Sequence, residues 1–243
     1  MPSSLISRRS LILGGLLSIS LAALLPQINN RDEVYVTRLD LGIGGTLAFL
    51  PDLHLHEADE VERVMSALSD LRPDVVVIGG DLVDEETQRF DVVDDFLRGL
   101  DAREKLAVLG NHEYWSLKDG ECIASLRRWG FTVLHGMRYD SKVGQLYGFD
   151  WSESRVYNRL KFDGIVIAHD PNSADYVDGA ALVLAGHTHG GLMMGDFPVI
   201  TNSRYTRGLY EFRDGKRLYV SRGLGNMRLQ VRINSPPELL IVE

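Results

Sequence analysis

Seven residues with metal-ligand chemistry stand just after short apolar runs in this sequence: Asp52, His54, Asp81, Asn111, His169, His187 and His189. They fall in five blocks: Asp52-Leu53-His54, Gly79-Gly80-Asp81, Gly110-Asn111-His112-Glu113, a lone His169, and Gly186-His187-Thr188-His189. Five of the chain's seven histidines lie in these blocks, which a random scatter would not arrange. Nitrogen and oxygen donors without a thiolate suit manganese, iron or zinc. The set is too large for one ion and about right for two. A carboxylate such as Asp81 can bridge a metal pair about 3.5–4 Å apart, the spacing that serves in-line displacement at phosphorus. Alternate strand positions face the same way, so Asp52 with His54, and His187 with His189, are expected to aim two ligands each into one cleft.

Taken singly, each residue has a plainer reading. Asp52 suits a turn before a helix, His169 a hydrogen-bonded structural histidine, and Gly186–Gly191 an ordinary glycine-rich loop. All of these would have to hold together at every strand end, and the joint pattern favours the metal reading.

The elements that must carry these blocks alternate along the chain. Apolar runs read as strands at Val34–Leu41, Thr46–Leu50, Val75–Ile78, Lys105–Leu109, Phe131–Leu134, Tyr147–Phe149, Ile165–Ala168 and Leu182–Ala185. Between them, Ala58–Leu71 carries Val61, Val64, Met65, Leu68 and Leu71 at helical spacing, and Pro73 closes it. Phe90–Leu100 and Lys118–Trp129 read as further helices. Tyr210-Glu211-Phe212 and Leu218-Tyr219-Val220 flank Asp214-Gly215 as a hairpin, and Glu238–Val242 is a closing strand. Strand–helix alternation followed by hairpins predicts an α/β fold of two stacked sheets with helices outside. Ligand residues then sit at the C-terminal ends of buried strands, where α/β sheets collect them.

In order and approximate spacing the five blocks resemble the calcineurin-like metallophosphoesterases, from about Thr46 to Val242. The resemblance implies a four-layer α/β/β/α sandwich of two mixed sheets. It implies two divalent ions, manganese foremost, with iron, zinc or magnesium as the others. By that resemblance Asp52, His54 and His189 hold one ion, Asp81 bridges, and Asn111, His169 and His187 complete the second. His112 reaches the scissile phosphate as leaving-group acid or charge stabiliser, and a metal-bound hydroxide attacks phosphorus. Glu113 stands where many members have aspartate and is read as orienting a neighbour. The tail Tyr219–Gly225, with Arg232 and Pro236-Pro237-Glu238, looks like a bacterial branch that contains twin-arginine-exported phosphodiesterases and enzymes cleaving UDP-2,3-diacylglucosamine in the lipid A pathway. The implied function is hydrolysis of a phosphodiester or pyrophosphate bond in a small-molecule or lipid-linked substrate. A phosphomonoesterase and a non-catalytic metal-binding scaffold are the alternatives.

The remaining features bound this reading. The chain of 243 residues shows no linker or repeat, and residues 31–243 are expected to form one domain. A net charge of −8 argues against nucleic acid as partner. The sole cysteine, Cys122, allows no internal disulfide. Residues 1–30 carry Arg8-Arg9 before an apolar run to Leu25, the layout of a twin-arginine-like export signal or membrane anchor in a bacterial envelope. His56 and Arg222 are candidate substrate contacts, Arg222 through a bidentate grip on phosphate. An exposed loop histidine and a salt bridge are their plainer readings. Leu192-Met193-Met194 could line an acyl groove or simply be core, and His135 reads as structural.

Overall fold

A computed structural model describes residues 33–179, 181–194, 197–225, 232 and 235–243. The N-terminal signal expected over residues 1–30 lies outside the described residues, as do the side chains of Leu192–Met194. Among the described residues no helix is long and apolar enough to cross a membrane.

Two mixed six-stranded sheets are stacked face to face. The first runs, in spatial order, Tyr35–Leu39, Glu238–Val242, Leu47–Leu50, Val75–Gly79, Glu104–Val108 and Thr132–Val133. Its pairs are parallel except Glu238–Val242 against Leu47–Leu50. The second runs Gly208–Glu211, Arg217–Val220, Leu182–Ala185, Ile165–Ile167, Gly144–Gly148 and Met137–Ser141, antiparallel only at its two outer pairs. The hairpin through Asp214-Gly215 forms as expected. The first two apolar runs do not pair with each other, because the closing strand inserts between them.

Period-two alternation divides the core. Leu47, Phe49, Val75, Val77, Leu106 and Val108 point between the sheets and meet Leu146, Ile165, Ile167, Leu182 and Leu184. The alternate residues Ala48, Leu50, Val76 and Ile78 point outward against Val64, Leu68, Val93, Phe96 and Leu126. These last come from the helices Ala58–Leu68, Phe90–Gly99 and Asp119–Arg128. A strand buried on both faces reads as an unbroken apolar run, which is the character of Val75–Gly79. Beyond the second sheet the cover is thin. A 3-10 helix at Pro171–Tyr176 and the short pair Leu160–Lys161 with Val177–Asp178 enclose Phe162, Val166, Ala174 and Val183.

Candidate metal centre

Each strand that bears a block ends short of its ligands, and after three of the five the chain turns through left-handed backbone. Asp52 has φ +54°, His54 +44°, Asp81 +51°, His187 +74° and His189 +49°. A non-glycine residue held there costs of order 1–3 kcal/mol and persists only where its surroundings dictate it. These turns lock together. Asp52 N donates to Gly80 O and His54 N to Asp81 O, both at 3.0 Å, and Gly186 N donates to His169 O at 3.1 Å. At Gly80 (φ +87°) a Cβ would lie 2.7 Å from Gly110 N and from the His169 ring, so the turns approach closely because this position is glycine. Strand parity is therefore not what aims the ligand pairs, and that expectation is corrected. All four residues lie past strand ends, and His187 and His189 join different groups.

The structure gathers six of the seven residues into two groups, and Asn111 joins the second through His169. In one, ligand atoms of Asp52, His54 and His189 lie within 4.8 Å of one another; in the other, those of Asp81, His169 and His187 do. The Nε2 atoms of His54 and His189 face each other at 3.2 Å. His169 Nε2 sits 3.2 Å from His187 Nδ1, 3.1 Å from Asn111 Oδ1 and 3.0 Å from Asp81 Oδ2. The same Asp81 oxygen is 3.8 Å from His54 Nε2, which places it between the groups. Imidazole nitrogens turned on one another in pairs, with carboxylates among them, are a donor set that fits cations.

The neighbours prepare these rings as ligands. His54 Nδ1 lies 3.0 Å from Asp84 Oδ2, and His169 Nδ1 lies 3.0 Å from the Gly79 carbonyl. With the proton held at Nδ1, each neutral ring would present Nε2 to a metal, the usual support for a ligating histidine. The buried Glu113 carboxylate accepts from Gly110 N (2.7 Å), Asp81 N (3.0 Å), Leu82 N (2.6 Å) and Val83 N (3.1 Å). It ties the turn carrying Asp81 to the short helix Asn111–Trp115, so the orienting role read for it has a definite geometry.

Charge is distributed unevenly across the cluster. Burial works against a charged His169, but the adjacent Asp81 and Asp52 outweigh it and push its pKa up to about 10. Burial pushes Asp81 up as well, yet His169, His54 and His112 hold it well below the usual carboxylate range. Burial and the His169 charge press His187 down to about 3, and burial with His54 holds His189 far below its ordinary value. His187 and His189 are thus neutral, the form that binds metal.

His112 lies beside the cluster, its ring centroid 5.0 Å from that of His54, and its Nδ1 is 2.9 Å from Glu85 Oε2. His56 reaches Asp84 Oδ1 at 2.8 Å, so Asp84 links it to His54. Arg222 donates to Glu238 at 3.1 Å, and the same carboxylate accepts from Arg222 N, Tyr219 and Thr37. His135 pairs with Asp150 at 2.6 Å near the surface. Asp84 and Glu85 escaped the sequence reading. The only local signal was a second carboxylate three residues after Asp81. Arg232, noted there only as part of the tail, places Nη2 3.3 Å from His189 Nδ1.

The profile described as Calcineurin-like phosphoesterase matches residues 45–191, and the chain belongs to that family of metal-dependent phosphoester hydrolases. It is 32% identical to an uncharacterized metallophosphoesterase of Aquifex aeolicus, over 79% of this chain and 81% of that one. It is 30% identical to the metallophosphoesterase YkuE of Bacillus subtilis, over 78% and 75%. It is 26% identical to the phosphodiesterase YaeI of Escherichia coli, over 81% of each chain.

Proposed function

We propose that the chain hydrolyses phosphodiester or pyrophosphate bonds at a centre of two divalent ions. The observation that carries this reading is Asp81 Oδ2, 3.0 Å from His169 Nε2 in one ligand group and 3.8 Å from His54 Nε2 in the other. Asp52, His54 and His189 would hold one ion and Asn111, His169 and His187 the other, with Asp81 shared between them. Bound there, two ions of the manganese, iron, zinc or magnesium kind supply an activated water and neutralise phosphoryl oxygens.

The chain's own residues do the rest. Asp84 and the Gly79 carbonyl orient His54 and His169 through their Nδ1 atoms. Glu85 holds His112 Nδ1, which leaves His112 Nε2 to face the leaving oxygen and donate its proton there. The likeness to YaeI, a relative named as a phosphodiesterase, supports the diester over the monoester. A lipid-linked substrate such as UDP-2,3-diacylglucosamine, and an envelope location, rest on the tail motif and on Arg8-Arg9 ahead of the apolar run. His56 and Arg222 remain proposed as substrate contacts, each by way of the carboxylate that holds it.

The test is a screen of the metal-loaded protein on diesters, monoesters and nucleotide-diphospho-lipids, run beside Asp81→Asn. Diester or pyrophosphate turnover that Asp81→Asn loses together with at least one ion is the expected result. Preference for monoesters, or full metal content with near-normal turnover in the variant, refutes the reading. Replacing Arg8 and Arg9 together by lysine should block export without touching catalysis; unchanged export removes the twin-arginine assignment.

A further inference from the structure

Two tryptophans border the ligand groups, and nothing in the hydrolysis as described uses them. Trp115 ends the short helix that begins with Asn111 and His112, and Trp151 follows the strand Gly144–Gly148. Both indole N–H groups donate to one oxygen, Glu153 Oε2, at 2.8 and 3.1 Å. This shared acceptor fixes the edges of both rings, which stand at 90° with centroids 6.2 Å apart. The Trp115 centroid is 5.3 Å from the His112 ring, and that of Trp151 is 5.2 Å from His187 and 5.9 Å from His169. The corner therefore abuts the ligand histidines on one side and His112 on the other.

Its two walls differ. Trp151 is braced, with the Arg155 guanidinium 5.8 Å from its centroid and Arg155 paired to the buried Asp170. Trp115 is 49% exposed, although its one polar atom is already satisfied. A large apolar ring with its N–H tethered and its surface half open offers contact area, not hydrogen bonds. We propose that the Trp115–Trp151 corner is a subsite for a planar aromatic ring, such as a nucleobase, on the organic group of the phosphoester. This rests on the phosphodiester reading above. A flat ring laid on Trp115 meets Trp151 at a right angle, so it gains a stacked and an edge-to-face contact at once, the two arrangements that aromatic rings prefer. An alkyl chain gains nothing from that angle and would lie against the Glu153 carboxylate. Because both indole N–H groups are spent on Glu153, the corner selects for a ring and is indifferent to which base carries it.

The experiment uses three methyl diesters on the manganese-loaded protein: thymidine 5′-methyl phosphate, n-octyl methyl phosphate and dimethyl phosphate. Trp115→Leu keeps an apolar side chain and removes the aromatic face. The expected result is a fall in the kcat/KM ratio of the thymidine ester over the dimethyl ester by roughly 2- to 12-fold, the worth of one aromatic pair. The change should lie in KM. Equal losses on all three esters would mean a structural role and overturn the proposal, as would loss confined to the octyl ester. Should no diester be cleaved, the hydrolysis reading fails separately. Binding is then read from quenching of tryptophan fluorescence by thymidine 5′-monophosphate. A higher dissociation constant in Trp115→Leu, titrated on the remaining Trp151 emission, upholds the subsite; an unchanged constant, or no quenching in the unaltered protein, overturns it.

Discussion

Replacing Glu113 by glutamine changes one oxygen into an amide and tests whether a single carboxylate holds two ligand-bearing turns in register. Glu113 is fully buried and accepts four backbone N–H groups, two on each oxygen. Burial and the Asp81 charge push its pKa up, while the N–H groups of Val83 and Gly110 draw it down. All four partners are donors, so the side chain serves this geometry only as an acceptor. The amide keeps one oxygen and turns its own N–H groups toward the other two donors. Leaving a buried N–H unpaired costs about 1–3 kcal/mol, so two cost about 2–6 kcal/mol. That is a large part of the 5–15 kcal/mol that typically stabilises a domain. Urea unfolding of the metal-free protein at pH 7 should show the loss, and elemental analysis should show that the variant retains fewer ions. Glu113→Asp keeps the charge on a side chain one methylene shorter and should fall between the two. An unchanged unfolding midpoint with full metal content in Glu113→Gln would refute the tether.

His112→Asn should keep its metals and slow turnover by about 10²–10⁴-fold, more for alkoxide than for p-nitrophenolate leaving groups. Loss of metal, or equal slowing of both substrates, would remove it from the role of proton donor. Asp84→Asn should weaken metal binding by roughly 10–100-fold in a chelator competition, because it loosens the proton held at His54 Nδ1. Burial pushes Glu238 up, but Arg222, Thr37 and Tyr219 together hold its pKa below the ordinary 4.5. Its contribution to stability is therefore complete above about pH 4.5 and is lost as pH falls through the lowered value. Urea midpoints between pH 3 and 7 should slope less on the acid side in Glu238→Gln, and identical slopes would refute the assignment. Chelation of the metals should lower the melting temperature, since ions that bind the folded chain stabilise it by mass action; an unmoved transition would argue against an occupied centre.

Much of this architecture is legible in the sequence because burial on both faces leaves a plain trace. Val75–Ile78 has no polar alternation, and Asp81 follows it within three residues. Strand order left no such trace. The insertion of Glu238–Val242 between Tyr35–Leu39 and Leu47–Leu50 is a pairing across some two hundred residues, set by the whole sheet. The edge strand Met137–Ser141 was missed because its half-exposed residues, Met-Arg-Tyr-Asp-Ser, carry no apolar run. The candidate ligands were legible through their types and their places after strands. The carboxylates that hold the rings in and around the site were not. Asp84, Glu85 and Glu153 are acidic residues of loops, and only the folded chain shows that each one meets a ring nitrogen.

The left-handed backbone at Asp52, His54, Asp81, His187 and His189 shows why the site is built past the strands and not on them. Within a strand, successive side chains part to opposite faces, so Thr188 would separate two ligands directed at one sheet face. A turn after the strand frees each side chain from that parity. It sends His187 to His169 and Asp81, and His189 to His54 and Asp52. Glycine would adopt such backbone without strain but has no ligand to offer. The chain therefore accepts strain at the ligands and places glycine beside them, at Gly80 and Gly190. Five strained residues hold only where neighbours over-determine them. The bonds from Asp52 to Gly80, from His54 to Asp81 and from Gly186 to His169, with Glu113 across four N–H groups, provide that constraint. Each of them ties one candidate-ligand turn to another, so ions held by the two groups would be coupled through the backbone as well as through Asp81.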